Sequence, residues 1–464
     1  MTAYAGPIRR PAVLDIGKTN VKLVVLDAAG RTEWQDETAN TVLPGPPYPH
    51  FDIDGIWHWV LDALSRAGRD HAIDAILPVT HGAAAVPVDS GGEALPALDY
   101  EYDGPEGDAE YDRIRPSFAE TLSPALPGGL NIGRQLHWLK TAHPALWSKA
   151  AAVLLYPQYW CRRLGGRAVS EFTSIGCHTD LWVPARGEFS SLARAEGWDA
   201  LFPPFEPAGA DLGPIGADIA RHTGLMPDCR VLNGLHDSNA SYLRYLSTRS
   251  RPFTVLSTGT WIITMSGMES GEPPPLDPKR DTLANVDVNG KPVPCARFMG
   301  GREYAAISPT KDVAATIQDI QTLIDSGTMA LPSLAGHSGP FPHAKGRIAN
   351  PPDSDAGRTA LAALYCASMT RTCIELVDGR GDIVVDGPFA RNGLYCGIVA
   401  ALFPDRRVIP AVPGVGTAAG VATLIMNAGK SDADQSPVSP LPLIDLDAYS
   451  RAWCHELKSE LPEL

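Results

Sequence analysis

No run of five basic residues, no CxxC pair and no long apolar stretch occurs in this 464-residue chain. Each absence excludes something. With a net charge of −14 and no basic stripe, the surface is a poor match for duplex nucleic acid or an anionic membrane. The eight cysteines, Cys161, Cys177, Cys229, Cys295, Cys366, Cys373, Cys396 and Cys454, show no zinc-ligand spacing and read as reduced, mostly buried thiols. A membrane-spanning helix needs roughly 18 apolar residues in a row, and none is present. The opening segment MTAYAGPIRRPAVLDIG carries no apolar signal core, so a cytoplasmic protein is expected.

What remains is ordinary soluble material, 44% hydrophobic and 20% charged. Its length suits two or more domains. Residues 12–16 (AVLDI) and 21–27 (VKLVVLD) read as strands around a tight loop at Gly17–Asn20, and AAGR at 28–31 reads as a turn. Ile56, Trp59, Val60, Ala63, Leu64 and Ala67 recur at helical spacing and predict a helix over 55–68. Strands are expected at 75–79 and 83–88, and helices at 130–142, 151–164 and 357–377. Residues 253–267 (FTVLSTGTWIITMSG) repeat the strategy of the first hairpin: strand, polar Gly/Thr tip, strand. A domain boundary is therefore expected near 245–252, dividing the chain into 1–248, 249–430 and a Pro- and Asp-rich, loosely packed tail at 431–464.

A hairpin tip of Gly with Thr, Ser or Asn aims several backbone N–H groups at one point, and such nests bind anions. It can equally be the polar turn of an ordinary antiparallel sheet. Lys18 or Lys22 can neutralise a phosphate, and Asp15 at the strand end can hold hydrated Mg²⁺. The stretch GLHDSNAS, 234–241, offers Asp237 either as a helix N-cap or as a general base that takes a hydroxyl proton during phosphoryl transfer. Its neighbour His236 can hydrogen-bond a sugar hydroxyl. In VVDGPFARNG, 384–393, a glycine turn after a strand can let an adenine ring lie flat against backbone.

Taken together, DIGKTNVK, GLHDSNAS, STGTW and VVDGPFARNG make the chain resemble the FGGY carbohydrate kinases over roughly residues 12–428. STGTW, HDSNA and the helix NIGRQLHWLK look most like the rhamnulokinase and fuculokinase branch. The resemblance implies an α/β, two-domain sugar-kinase/actin/heat-shock-70 ATPase fold with ribonuclease H-like repeats and an interdomain cleft. It implies that Lys18, Thr19, Asn20, Val21, Lys22, Gly259 and Thr260 contact ATP phosphates, with Gly387 and Asn392 near the adenosine. Asp237 would be the catalytic base, Asp15 would sit near Mg²⁺, and His81, Gly82 and His236 would line the sugar pocket beside Asp237. The implied cofactors are ATP and Mg²⁺, and the implied partner is a small sugar, with a homodimer left open.

The chain also departs from the family pattern. Pro388 follows Gly387 where further glycines are usual, GTAAGVA at 416–422 lacks an acid, and LDYEYDGPEGD replaces the usual Asp-Ser-Arg stretch. Gly300, Gly301, Arg302 and Glu303 read equally as a ligand-ordering loop or an exposed turn, and Asn285 falls where related kinases place a substrate contact. His137, Trp57, Trp59 and Trp138 are expected in the core. The reading is an ATP-dependent kinase of a ketose such as L-rhamnulose or L-fuculose. Its rivals are a non-catalytic sugar-responsive regulator, which would need a basic DNA-binding arm absent here, and a sugar-independent ATPase of the same fold.

Overall fold

The computed structural model describes residues 7–269, 272–310, 313–336, 338–412, 416–426 and 436–460. The chain forms two compact units that are not continuous in sequence. The first comprises Met1–Thr248, Asn285–Pro292 and Val415–Ser431, and the second Arg249–Ala284, Val293–Gly414 and Asp432–Leu464. A cut into 1–248, 249–430 and 431–464 overlooks the segments 285–292 and 415–431 that group with the first unit. The 430/431 boundary itself lies outside the described residues.

The first unit is built on a seven-stranded mixed sheet. Its strands are β1 (Pro11–Ile16), β2 (Asn20–Leu26), β3 (Thr32–Ala39), β4 (Ala75–Thr80), β5 (Asp211–Pro214), β6 (Arg230–Leu232) and β7 (Leu235–His236). The order is β5-β6-β4-β1-β2-β3, with β7 also pairing with β4. β1 and β4 read as nearly unbroken apolar runs because both faces of the sheet centre are covered. One face packs Ala12, Leu14, Ile16, Val21 and Leu23 against Ile56, Val60 and Leu64 of helix Ile53–Asp70. The other packs Val13, Val24, Leu26 and Leu77 against Ala240 and Leu243 of helix Asp237–Thr248 and Val421 of helix Gly416–Met426.

β3 has no counterpart among the strands read from sequence. Its residues, TEWQDETA, are mostly polar and exposed, as suits a charged edge strand that carries little hydrophobic signal. The helix expected over 151–164 is instead a strand, Ala152–Leu155, paired antiparallel with Ala85–Val88, followed by helix Tyr156–Arg163. Val153, Leu154 and Leu155 are buried in that ladder, and Pro157 in the first turn starts the helix.

The second unit holds a six-stranded sheet. Its strands are β8 (Phe253–Thr258), β9 (Ile262–Gly267), β10 (Thr282–Val286), β11 (Pro292–Phe298), β12 (Asp382–Asp386) and β13 (Val408–Pro410), in the order β10-β11-β9-β8-β12-β13. Helix Asp355–Leu376 runs through its core, with Leu361, Leu364, Tyr365 and Cys366 fully buried. The tail does not pack loosely. Leu446, Tyr449, Trp453 and Leu457 of helix Leu446–Glu460 line one face and enter this core. The Trp453 Nε1–H donates to the Ala330 carbonyl at 2.8 Å, and the Tyr449 hydroxyl to that of Thr328 at 2.9 Å. No helix among the described residues is long and apolar enough to cross a membrane.

Helices Asp237–Thr248 and Gly416–Met426 touch backbone to backbone: a Cβ placed on Gly420 would lie 1.6 Å from the Ala240 carbonyl oxygen. Helix propensity alone favours Ala over Gly by about 1 kcal/mol, whereas overpacking costs about 1–3 kcal/mol. Gly420→Ala is therefore expected to lower the thermal midpoint of the first unit. A midpoint at or above the native value would show that the two helices are not pressed together.

Candidate active site

Register places the polar residues of the first unit at one end of the sheet. β1 and β4 run parallel with Asp15 opposite Val79 and Ile16 opposite Thr80. β7 runs parallel to β4 with His236 opposite Thr80. Asp15, His81 and Asp237 thus all sit at carboxyl ends of neighbouring parallel strands, where open α/β sheets gather their ligands.

Asp15 is half-buried on the face of the sheet that carries Val13 and Val24. Its pKa rises to about 6, chiefly through burial and in part through repulsion by the Asp237 carboxylate. The Thr417 hydroxyl, which donates to Asp15 Oδ2 at 2.7 Å, and the Lys22 ammonium work against that rise. Lys22 stands directly across the ladder from Asp15 and pairs with Glu37 at 3.2 Å. Two repelling carboxylates and a hydroxyl form an oxygen-only donor set, which fits a hydrated Mg²⁺ that takes one or two carboxylates. No group of three or more His, Cys, Asp or Glu poised for a metal occurs among the described residues.

Asp237 opens its helix, but not as an N-cap. A capping side chain accepts from the amide two or three residues on. The Asp237 Oδ1 instead accepts from the next residue, at 2.5 Å from the Ser238 amide and 3.2 Å from its hydroxyl. The same oxygen lies 3.1 Å from His236 Nε2. Burial holds the His236 pKa below the usual imidazole value, so the ring is neutral. Asn239 Nδ2 donates to its Nδ1 at 3.3 Å, which leaves Nε2–H to face Asp237. Asp237 Oδ2 takes no hydrogen bond from the described residues.

His81 is buried, and burial likewise holds its pKa well below normal. Its Nδ1–H donates to the Gly82 carbonyl at 2.9 Å, and its Nε2 is left buried without a partner. Gly82 lies so close to His236 that an added Cβ would be 2.8 Å from Nε2. The structure thus brings Asp15, Lys22, His81, Gly82, His236 and Asp237 together, with Thr19, Asn20 and Val21 on the β1–β2 turn and start of β2. Lys18 does not join Asp15 and Lys22: its ammonium pairs with Asp99 and lies over the Tyr100 ring, on the side of His81.

In the second unit, Gly259 and Thr260 form the β8–β9 tip, closed by the Gly259 amide donating to the Trp261 carbonyl at 2.8 Å. β12 runs parallel to β8, so Gly387 follows directly alongside Thr258. Gly387 has φ +86°, and a Cβ there would meet the Thr258 carbonyl oxygen at 2.1 Å, which excludes any side chain. The Thr258 hydroxyl accepts from the Phe389 amide at 3.1 Å. Asn392 caps helix Gly393–Leu402 through the Tyr395 amide at 3.0 Å and reaches the Tyr304 hydroxyl at 3.5 Å. Gly300–Ile307 is a helix, and Glu303 in its first turn is buried, accepting from the Tyr365 hydroxyl at 2.5 Å and the Leu334 amide at 3.3 Å, so it is neither exposed nor part of a loop.

Residues 250–435 match the family model for the C-terminal domain of FGGY carbohydrate kinases. A crystallised carbohydrate kinase from Novosphingobium aromaticivorans is 38% identical, covers 98% of this chain and 99% of its own, and superposes with a TM-score of 0.92. The chain belongs to the FGGY carbohydrate kinase family. The L-fuculokinase of Salmonella typhi is 30% identical over 274 residues, which is 54% of this chain and 55% of that protein. The chain thus spans about half the length of the curated relatives it matches. A xylulose kinase from Rhodospirillum rubrum shares the fold at 18% identity, with a TM-score of 0.77 and 98% and 99% coverage.

In this FGGY chain three supporting residues escaped the motif reading. Thr417 lies 402 positions from Asp15, and nothing local marks it as a partner. Asp99 lies in the segment that departs from the family pattern. Glu171 is fully buried and accepts from the Thr173 amide and hydroxyl at 2.9 and 2.6 Å, and burial raises its pKa to about 7. The Thr173 hydroxyl in turn accepts the His236 amide at 3.0 Å, so Glu171 fixes the backbone next to Asp237. Only its place before a short helix, in SEFTS, hinted at it.

Because its folded pKa is raised, Asp15 costs stability that appears as pH climbs through about 4 and is complete above about 6. Asp15→Asn keeps an acceptor for Thr417 and removes that cost. The ligand-free variant is expected to gain about 3 kcal/mol of unfolding free energy at pH 7.5 and little near pH 4. Urea titrations giving equal differences at both pH values would rule out a raised Asp15.

Proposed function

We propose that this protein transfers the γ-phosphoryl group of ATP to a hydroxyl of a small sugar, a ketose such as L-fuculose or L-rhamnulose. The observation that carries the reading is the state of Asp237. One carboxylate oxygen is tied to Ser238 and His236, and the other has no partner among the described residues, at the end of a sheet whose neighbouring strands present Asp15 and His81.

Each residue then has a chemical task. Asp237 Oδ2 accepts the proton of the attacking hydroxyl, while the neutral His236 and the Ser238 amide hold the carboxylate in place. His81 Nε2 accepts a hydrogen bond from a second hydroxyl of the sugar. The Gly17–Asn20 turn, Thr19, Asn20, Val21 and Lys22 in the first unit, and Gly259 and Thr260 in the second, supply donors to phosphate oxygens. Gly387 and Asn392 border the adenosine, where the missing side chain at 387 lets the turn pack directly on the Thr258 backbone. Asp15, with Thr417 beside it, would hold Mg²⁺, which when bound neutralises phosphate charge. Catalysis then comes mainly from positioning and electrostatics, since phosphoryl transfer asks little covalent chemistry of the protein.

Asp237→Asn separates this reading from a purely structural Asp237. General-base catalysis is worth about 10²–10⁴-fold, so sugar-dependent ADP release is expected to fall by that factor, with the melting temperature nearly unchanged. Sugar affinity, read by titration calorimetry, is expected to change far less. Wild-type turnover in the variant would remove Asp237 from the reaction.

A further inference from the structure

The two lysines of the first hairpin stand on opposite faces of the sheet. Lys22 lies across the ladder from Asp15, on the face of Val13 and Val24. Lys18 lies on the other side, where Ile16, Val21 and Phe51 pack. Its ammonium pairs with Asp99 and lies 3.3 Å from Glu101. It also sits over two aromatic faces, 5.0 Å from the Phe51 centroid and 4.7 Å from that of Tyr100. An ammonium so enclosed has already exchanged most of its water for a carboxylate and ring faces. Moving it to a phosphate would leave the partly buried Asp99 without its cation.

The same rings surround His81. Its imidazole lies 5.0 Å from Phe51, 5.3 Å from Tyr100 and 5.0 Å from Tyr156. His81 feels the charges of Asp237 and Lys18 alike, and Tyr100 feels those of Glu101, Asp237 and Asp99. Lys18, His81, His236 and Asp237 therefore form one connected wall that begins at the ion pair and ends at the proposed base.

We infer that Lys18, paired with Asp99, is a sugar-specificity residue rather than a phosphate ligand, and that the wall it forms with His81 selects neutral polyhydroxy substrates over sugar acids. The inference rests on the sugar-kinase reading. A substrate whose accepting hydroxyl reaches Asp237 places its remaining hydroxyls along this wall. Nε2 of His81 and the Asp99 carboxylate accept from them, Lys18 donates to them, and the rings pack against C–H faces. A carboxylated sugar meets a Lys18 charge already cancelled by Asp99, with Glu101 adding a further negative charge. Such a substrate gains no free cation and is repelled.

Steady-state ADP release with L-fuculose, L-rhamnulose, D-xylulose and D-gluconate tests this. With the best neutral ketose, Lys18→Met is expected to raise the sugar KM by about tenfold or more, the worth of a hydrogen bond from a charged group. The ATP KM is expected to stay within about twofold. Asp99→Asn frees the Lys18 charge and is expected to raise kcat/KM for D-gluconate relative to the ketose by about tenfold. The double variant Lys18→Met/Asp99→Leu removes both charges and carries the same KM comparison if the single variant does not fold. A rise in the ATP KM with an unchanged sugar KM would make Lys18 a phosphate ligand and overturn the inference. A fall in melting temperature with both KM values unchanged would make the pair structural only, and would overturn it too. A wild-type protein that releases ADP with none of the four compounds would instead fail the kinase reading itself.

Discussion

Two half-buried carboxylates held near each other set the terms for the first unit. Asp15 and Asp237 are brought together by strand register alone: β1 and β7 both pair in parallel with β4, so their ends arrive at the same level. Burying a carboxylate is costly unless donors or cations compensate. Here each acid has its own compensation. Asp15 has the Thr417 hydroxyl and the Lys22 charge, and Asp237 has the Ser238 amide and the neutral His236. For Asp15 the compensation is partial, since its pKa still rises to about 6, with repulsion from Asp237 contributing.

Close backbone approach supports that arrangement. Gly420 lets the Thr417 helix lie against the Asp237 helix, and Gly82 lets the end of β4 press on His236. Next to the site, Glu171 and Thr173 hold the His236 amide, so the Asp237 backbone is tied to fully buried residues. The second unit uses the same device at the β8–β12 ends, where Gly387 brings backbone against Thr258 and the Thr258 hydroxyl orders the following turn. Rigid support of this kind fits a reaction that depends on positioning.

Opposite faces of one hairpin carry opposite chemistry. Side chains alternate along a strand, so two lysines four residues apart across a turn need not share a face. Lys22 stays with the carboxylates, and Lys18 joins an aromatic enclosure with Asp99. The DIGKTNVK motif treats them alike because it records only order along the chain. The enclosure depends on Phe51, His81, Asp99, Tyr100 and Tyr156, drawn from separate segments.

The hairpins at 11–26 and 253–267, the helix Ile53–Asp70 and the helix Asp355–Leu376 were legible in the sequence, because each has a strong local period bounded by turn residues. The polar cluster at Asp15, the His81–Gly82 pair and the Asp237 loop were legible for the same reason: each is a short polar interruption at the end of an apolar run. The polar edge strand Thr32–Ala39, the strand Ala152–Leu155 and the packed helix Leu446–Glu460 were not. Their states depend on what covers them, and that is a property of partners distant in the chain. The same holds within the site. Sequence determined the polar interruptions at the ends of apolar runs, whereas only the tertiary structure decided that Thr417 supports Asp15, that Asp237 is not a cap and that Lys18 faces Asp99, because hydrogen bonds and ion pairs form between neighbours in space.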